Sequence, residues 1–366
     1  MPWRRCFMAS TVIALATVIL LCPVSTQARP RGVDARSKLN ESAHRRWQVS
    51  AWSEGNETSL KTALTAKAIN EVSVDWWASN ADGSLSTGSG CAAFPTLTKS
   101  HHVRLLVTVS NWNNKIGGFD QSIPQQILSS SERTQAQISS LVSQCVACGY
   151  AGIDLDWESL VPSDRDLFSG FVSQLATALH ARDKVLSIDV AAKTDDLGTW
   201  PTAESEDYAA LGQAVDEFKI MTYDYSGSWS GPGPIAPTSW VDHVIRYAES
   251  KVPAGKIWVG VPFYGYDWNG TKSRSATTDV DCTVARRLIQ KYRPRIRRLP
   301  DKEATFTYRK AGRTHVVVYQ DRLSLAAKLA VLRKRHPEIA GICIWVMGGE
   351  DKRFWPLIAS ALGHSA

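Results

Sequence analysis

Eight short segments rich in apolar and β-branched residues recur along the chain, and segments with helical periodicity separate most of them. These segments are 47–52, 71–77, 103–110, 152–158, 185–192, 217–224, 257–264 and 341–347. Eight strands alternating with helices are what a closed parallel barrel requires. The sequence therefore predicts the α/β class and a (β/α)8 TIM barrel.

The helical patterns are clearest at 131–148, 163–182, 238–250, 324–336 and 352–362. In the second of them, Leu167, Phe171, Leu175 and Leu179 form an apolar stripe at helical spacing. The connection after the second strand has only a weak helical pattern, so the barrel prediction is least supported there.

A longer insertion, about 267–321, separates the seventh predicted strand from its helix. It contains two strand-like pieces, at 305–308 and 315–319, beside charged segments. We expect a small α+β unit attached to the barrel.

The first 28 residues have the features of a secretory signal peptide. Arg4 and Arg5 precede an apolar run from about Phe7 to Val24, and a cleavage site is plausible after Ala28. Residues 29–45 are polar and basic, so we expect a linker there and the barrel domain over 46–366. A run of this length could also remain as an uncleaved anchor. We expect a secreted protein that is free of the membrane once the signal is cleaved.

The formal net charge is +7, or +5 once Arg4 and Arg5 are subtracted. This mild excess is typical of ordinary solubility and could favour an anionic cell-wall surface. No run of Lys and Arg interleaved with aromatic residues indicates a nucleic-acid partner. We expect a monomer without a nucleic-acid partner.

Five cysteines follow the predicted signal peptide: Cys91, Cys145, Cys148, Cys282 and Cys343. An exported chain can form disulfides, and the odd count leaves at least one thiol unpaired. Cys145 and Cys148 form a CxxC motif at the end of a helical pattern with no second pair, which disfavours zinc. We expect a local disulfide or two reduced thiols there, and Cys343 in the core.

Three carboxylates occupy alternate positions of the fourth predicted strand: Asp154, Asp156 and Glu158. Apolar side chains lie between them, so the acids share one face, with neighbours about 6 to 7 Å apart. Ionised carboxylates at that distance repel, so at least one should hold or share a proton, as a general acid must at neutral pH. A metal site or a solvated strand edge are the alternatives. The apolar neighbours disfavour an edge, and the absence of nearby histidines disfavours a metal.

Other chemically informative residues cluster at the ends of predicted strands. In TIM barrels the carboxyl ends of the strands form the active site. Acids beside aromatic rings suit a sugar, since rings stack on pyranose faces while carboxylates act on the glycosidic oxygen. The candidates for sugar contact are Trp52, Met221, Asp224, Tyr264 and Trp345.

The string at 152–158 (Gly-Ile-Asp-Leu-Asp-Trp-Glu), the string at 221–224 (Met-Thr-Tyr-Asp) and Trp345 resemble glycoside hydrolase family 18. This family contains chitinases and related β-N-acetylglucosaminidases. The likeness runs from about Trp47 to the C-terminus, with the three motifs in the order of strands four, six and eight. It implies hydrolysis of β-1,4 bonds next to N-acetylglucosamine, in chitin oligomers or peptidoglycan.

The resemblance also implies a role for each matched residue. Glu158 would protonate the leaving oxygen, Asp156 would orient the 2-acetamido group, and Asp154 would lie behind Asp156 and share its proton. Tyr223 would hydrogen-bond the acetamido carbonyl, and Trp345 would form the floor under a distorted sugar. The family is substrate-assisted: the acetamide attacks the anomeric carbon, so configuration is retained without a metal or an organic cofactor.

The sequence departs from the family pattern in two places. Ala151 stands where an acid is usual, which could shift the pH profile. Ser110-Asn111-Trp112 replaces a Ser-x-Gly-Gly motif, and this is more similar to the bacterial spore-cortex and cell-wall group. A sugar-binding lectin without catalysis and an endoglycosidase acting on N-linked glycans are the alternatives.

Overall fold

The computed structural model describes residues 46–88, 91, 95–272, 276–351 and 353–361. The predicted signal peptide (1–28) and linker (29–45) lie outside these ranges and stay predictions. Within the described ranges, no helix combines the length and the apolar character that a membrane crossing needs.

Eight parallel strands form a closed barrel. They are β1 (Gln48–Ser53), β2 (Glu71–Ser79), β3 (Arg104–Ser110), β4 (Gly152–Asp156), β5 (Val185–Ala191), β6 (Glu217–Met221), β7 (Ile257–Pro262) and β8 (Gly341–Met347). Each strand pairs in parallel with the next one along the chain, and β8 pairs with β1. The predicted TIM barrel is confirmed.

Helices cover the outside of the barrel. They are α1 (Glu57–Thr65), α2 (Pro95–Ser100), α3 (Ser122–Leu128), α4 (Ser131–Ala147), α5 (Arg165–His180), α6 (Pro201–Ser205), α7 (Tyr208–Ala214), α8 (Thr238–Glu249), α9 (Cys282–Tyr292), α10 (Arg322–Arg335) and α11 (Phe354–Ala361). In the described part of the connection after β2, where the helical pattern is weak, the short strand Leu85–Ser86 pairs with the end of β2 and is followed by α2, which has about one and a half turns.

The fourth, sixth and seventh barrel strands end two or three residues earlier than predicted. The apolar pattern continues past each strand because Trp157, Tyr223 and Phe263, which follow the three strands, are buried as well. Asp224 has a φ of 55°, a left-handed conformation that a strand cannot continue. The residues after these strands therefore lie in loops at the carboxyl end of the barrel, where they can face a ligand.

The apolar stripe of α5 is shifted by one residue from the prediction at its first position. Leu167 is 51% exposed, whereas Phe168 is 1% exposed. Either residue fits the helical spacing, because Phe171 lies four residues after Leu167 and three residues after Phe168. The Trp157 ring stacks on Phe171, with centroids 4.7 Å apart, and also lies near Phe168. Because of this aromatic contact, Phe168 is buried in place of Leu167.

The insertion after β7 is an antiparallel sheet with one helix. Its strands run in the order Thr277–Asp279, Gly265–Trp268, Arg313–Tyr319, Ala304–Lys310 and Arg297–Arg298. The helix is α9. The unit begins at Gly265, close to the predicted start of the insertion, and has the expected α+β character.

A disulfide joins Cys91 to Cys148, with Cα atoms 5.1 Å apart, while Cys145, Cys282 and Cys343 are buried free thiols. The expectation for the CxxC motif is therefore wrong in both of its forms. Cys145 faces the core, and Cys148 follows the last residue of α4 at the surface, within reach of the connection after β2.

Replacing Cys91 with Ser is expected to lower the free energy of unfolding by about 2–4 kcal/mol, because the disulfide closes a long loop in the unfolded chain. The two cysteines are 57 residues apart in sequence. Urea unfolding of the oxidised wild type and the variant measures the difference. Added dithiothreitol should destabilise the wild type and leave the variant unchanged; equal stabilities of the two oxidised proteins would contradict the expectation.

Candidate active site

The three acids of the fourth strand form a row that runs from the barrel interior to the carboxyl end of the strand. Asp154 is fully buried, Asp156 is 6% exposed, and Glu158 follows the strand end and is partly exposed. The alternation of β4 produces this row, because Leu155 and Trp157 point outward into the surrounding core. The outermost acid is thus the one that solvent or a ligand can reach.

Two hydrogen-bond donors and one cation contact the Oδ2 atom of Asp154. The Trp52 Nε1 atom donates at 2.8 Å, and the Ser73 Oγ atom donates at 2.6 Å. The Lys219 Nζ atom lies 3.0 Å away in a fully buried ion pair. These contacts tie the innermost acid of the row to β1, β2 and β6.

The two outer acids titrate far from their ordinary range. Burial, followed by the charges of Glu158 and Asp154, raises the pKa of Asp156 well above its usual value. Burial and the nearby Asp224 raise the pKa of Glu158 to about 7. A carboxyl group with such a pKa is substantially protonated near neutrality, which is the property that a general acid needs.

Asn111 fixes the backbone that carries Glu158. Its Oδ1 atom accepts a hydrogen bond from the Glu158 amide at 2.9 Å, and its Nδ2 donates to the Glu158 carbonyl at 2.8 Å. Asn111 is fully buried in the loop after β3. The sequence singles out this segment only as a departure from the family motif, and the structure gives it a positioning contact.

Tyr223 and Asp224 follow the end of β6. Tyr223 is 8% exposed, and burial, followed by nearby groups that include Cys343, Asp189 and Asp156, raises the pKa of its hydroxyl. Asp156 is thus among the charged groups that act on the Tyr223 phenol, and the contact of Tyr223 with the acetamido group stays a prediction.

Two phenols hold the carboxylate of Asp224. Tyr264 and Tyr266 both donate to its Oδ1 atom, the second at 2.8 Å. Burial raises the pKa of Asp224 against the lowering effect of these hydrogen bonds. Tyr264 thus fixes Asp224, in addition to lining the cleft.

Trp345, near the end of β8, is partly exposed and lines a cleft of about 540 Å³. The cleft is also lined by Glu54, Asn56, Asp224, Phe263, Tyr264, Tyr266, Asp279, Asp281, Val284, Val346, Met347, Gly348 and Gly349. Met221, the last residue of β6, is partly buried and packs against the core.

Trp52 differs from the other residues predicted to contact sugar. It is 2% exposed, and its ring meets Trp345 edge to face with centroids 5.7 Å apart. The indole N–H of Trp52 donates its hydrogen bond to Asp154. The covered Trp52 ring has almost no surface available to a sugar. Its contacts instead support Asp154 and the ring of Trp345.

The sequence reasoning missed the buried Lys219 on β6. Its Nζ atom pairs with Glu71 Oε1 at 3.0 Å as well as with Asp154. The sequence does contain a sign of this residue, because Lys219 lies two residues before Met221 at an inward-facing position of a predicted strand. Among the described residues, no cluster of His, Cys, Asp and Glu has the arrangement of a metal site.

Comparisons with known proteins agree with this geometry. A family model described as Glycosyl hydrolases family 18 matches residues 49–350. The uncharacterized glycosylase YvbX of Bacillus subtilis is 29% identical over 297 residues, which are 79% of this chain and 84% of that protein. The cortical fragment-lytic enzyme of Bacillus subtilis is 27% identical over 274 residues, which are 72% of this chain but only 61% of that protein. The crystal structure of a chitinase from Chromobacterium violaceum superposes with a TM-score of 0.77 at 27% identity, covering 87% of this chain and 98% of that one.

Proposed function

Because the chain belongs to glycoside hydrolase family 18, we propose that this glycosidase cleaves β-1,4 bonds next to N-acetylglucosamine, in chitin oligomers or peptidoglycan. The observation that carries the proposal is Glu158, a partly exposed acid with a pKa raised to about 7 at the outer end of a buried acid row.

In the proposed reaction, Glu158 donates its proton to the glycosidic oxygen as the bond to the anomeric carbon breaks. The acetamido carbonyl oxygen of the same sugar attacks that carbon and forms an oxazolinium ring. Asp156 stabilises the positive charge on the ring nitrogen, and Tyr223 holds the acetamido oxygen. Water then attacks the anomeric carbon and gives a proton to Glu158, while the bond to the acetamido oxygen breaks and the neutral acetamide is restored. The two displacements together retain configuration.

We propose that the remaining residues of the site either contact the sugar or support the side chains that do. We assign Trp345 to the floor under the sugar, because its partly exposed ring borders the cleft. Asp224, Tyr264 and Met221 form the adjoining wall. Trp52 is reassigned from sugar contact to support of Asp154 and Trp345, in keeping with its burial.

We further propose that the protein acts outside the cytoplasm. The Cys91–Cys148 disulfide supports this, because such bonds form and persist in oxidising compartments. The apolar run before residue 28 is consistent with export.

Incubating the protein with N-acetylglucosamine oligomers and with peptide-stripped peptidoglycan glycan, followed by mass spectrometry of the products, tests the proposed function. Among the described residues, those lining the cleft include the acids Glu54, Asp224, Asp279 and Asp281 and no Lys or Arg. The acidic side chains of the cleft should repel the muramic acid carboxylates of the peptidoglycan glycan, so the neutral N-acetylglucosamine oligomers should be hydrolysed several-fold faster than the glycan. Asp279→Asn removes one of these acids and should reduce this difference in rate. Oligosaccharide binding without any product from either substrate would favour the lectin alternative.

The kcat/KM of the wild type is expected to fall as the pH rises through about 7. Glu158 must be protonated to donate, and the free enzyme loses this proton as the pH passes the raised pKa of Glu158. Initial rates between pH 4 and 9 with a chitin oligomer well below its KM measure this limb. A kcat/KM that stays constant from pH 6 to 9 would remove Glu158 from the acid role.

A further inference from the structure

The insertion after β7 contains a segment with a dense positive charge. Residues 286–298 include seven Lys and Arg residues and no Asp or Glu. All seven of these cations are exposed. The segment therefore carries as many positive charges as the net excess of the whole chain, which is +7. The Lys and Arg residues of 286–298 are called the cationic surface below.

The fold of the insertion places these cations along one helix and one sheet edge. The first three lie on α9, which ends where Arg293 adopts a left-handed φ of 46°. The chain then forms the edge strand Arg297–Arg298, which pairs with the strand Ala304–Lys310. Tyr292 at the end of α9 stacks on Tyr308 of that strand, with ring centroids 4.4 Å apart. The helix end and the sheet edge are thus neighbours, and the cations form a continuous surface.

Few ion pairs neutralise this surface. Within the described part of the chain, Arg298 pairs with Asp321 at 2.6 Å, and none of the other six cations forms an ion pair. Lys291 and Arg293, at the carboxyl end of α9, also complement the helix dipole. The four arginines with neither role are Arg286, Arg287, Arg295 and Arg297. Charges of one sign at this density attract an anionic partner.

The cationic surface has no exposed aromatic ring beside it. The aromatic residues of 282–313 are Tyr292, Phe306 and Tyr308. Phe306 and Tyr308 are buried, and Tyr292 stacks on Tyr308. Sugar polymers and single-stranded nucleic acids are commonly bound by rings that stack on pyranose faces or on bases. The surface therefore fits a polyanion that has neither sugar rings nor bases.

The kind of cation favours phosphate as the anionic group. Six of the seven cations are arginines. The planar guanidinium presents parallel N–H groups that match the oxygens of a phosphate. A chain of phosphodiesters carries a negative charge on every repeat, so successive phosphates of one chain can bind successive arginines.

The cationic surface extends away from the cleft along α9. Asp281 caps the amino end of this helix and lines the cleft, whereas Lys291 and Arg293 lie at its carboxyl end. A helix of 11 residues that rises about 1.5 Å per residue separates its two ends by about 16 Å. A polymer bound at the cationic surface therefore leaves the cleft open to a glycan.

We propose that the cationic surface binds a chain of polyols joined by phosphodiester bonds, an anionic polymer of the cell envelope, and holds the protein beside the glycan of that envelope. The choice of this polymer rests on the proposed location outside the cytoplasm. Anchoring through a second surface raises the effective concentration of the cleft near its substrate without any new contact in the cleft.

Binding of the full chain to poly(glycerol phosphate), measured by isothermal titration calorimetry, tests the proposal. Raising the salt concentration from about 50 to about 200 mM should weaken binding by the wild type at least about 10-fold, because phosphate contacts release counterions. Arg287→Gln/Arg295→Gln/Arg297→Gln should weaken binding at low salt at least about 10-fold for the same reason.

The matched control is Arg46→Gln/Lys99→Gln/Arg182→Gln, which removes three charges at exposed positions elsewhere on the domain. It should change the affinity by less than about threefold, although its net charge equals that of the first variant. Circular dichroism checks that both variants are folded. A wild type that does not bind the polymer, or equal losses of affinity in the two variants, would overturn the proposal.

Two other polyanions test the kind of partner. Single-stranded DNA with a matched number of phosphates and hyaluronan, a glycan with carboxylate charges, should both bind more weakly than poly(glycerol phosphate). Equal or tighter binding of either one would assign the surface to that class of polymer and refute the proposed partner. A wild type that binds poly(glycerol phosphate) but hydrolyses no glycan would refute the proposed function and support this surface.

Discussion

Replacing Glu158 with Gln is expected to lower kcat on N-acetylglucosamine oligomers by about 10³- to 10⁴-fold, with KM within about threefold. The amide has nearly the shape of the acid but no proton to give to the leaving oxygen. The Asn111 hydrogen bonds are made to the backbone of residue 158, so they should keep the loop in place. Initial rates by chromatography of the products, with circular dichroism as a check on the fold, measure the effect.

The matched control is Glu57→Gln, the same chemical change at an exposed position of α1, where Glu57 forms a surface ion pair with Lys61. It should leave kcat unchanged. If Glu158→Gln retained wild-type activity while Glu57→Gln behaved as expected, Glu158 would not be the proton donor, and the proposed mechanism would fail at its first step.

Replacing Asp156 with Asn is expected to lower kcat by about 10²- to 10³-fold. Asp156 lies between the buried Asp154 and the partly exposed Glu158, where the charge on the acetamido nitrogen would develop. An amide cannot supply the compensating negative charge. The same oligomer assay, run across pH, measures the loss and separates it from a simple shift of the optimum.

Asp183→Asn is the control for this second substitution. Asp183 is exposed and has a φ of 54°, a left-handed conformation that Asn adopts readily. The control should keep full activity. Asp156→Asn with more than about one third of the wild-type kcat would show that the middle acid is dispensable.

The barrel and the acid row could be predicted because both depend on local alternation. Apolar residues at every second position identify the strands, and the same alternation places Asp154, Asp156 and Glu158 on one face. The position of Glu158 beyond the strand end follows from the carboxyl-end rule for such barrels. Local patterns thus gave the architecture and the candidate proton donor.

The remaining features depend on contacts between distant segments. Cys148 could not be matched to Cys91, because their approach depends on how the connection after β2 folds back over α4. Trp52 was correctly placed at a strand end, but its burial follows from Trp345 on the neighbouring strand β8. Lys219 was overlooked because its acidic partners lie on different strands, which only barrel closure brings together.

The insertion after β7 has a consequence for how such a protein can diversify. Its first strand leaves the barrel at Gly265 and pairs there with Tyr319, so the unit begins and ends at neighbouring points. Tyr266, Asp279 and Asp281 of this unit line the cleft, whereas the acid row lies entirely on β4 and its following loop. Side chains of the insertion thus reach the ligand cleft, while the proton donor is carried by β4 and its following loop, so a change in the inserted segment can alter the cleft wall without replacing the acid row.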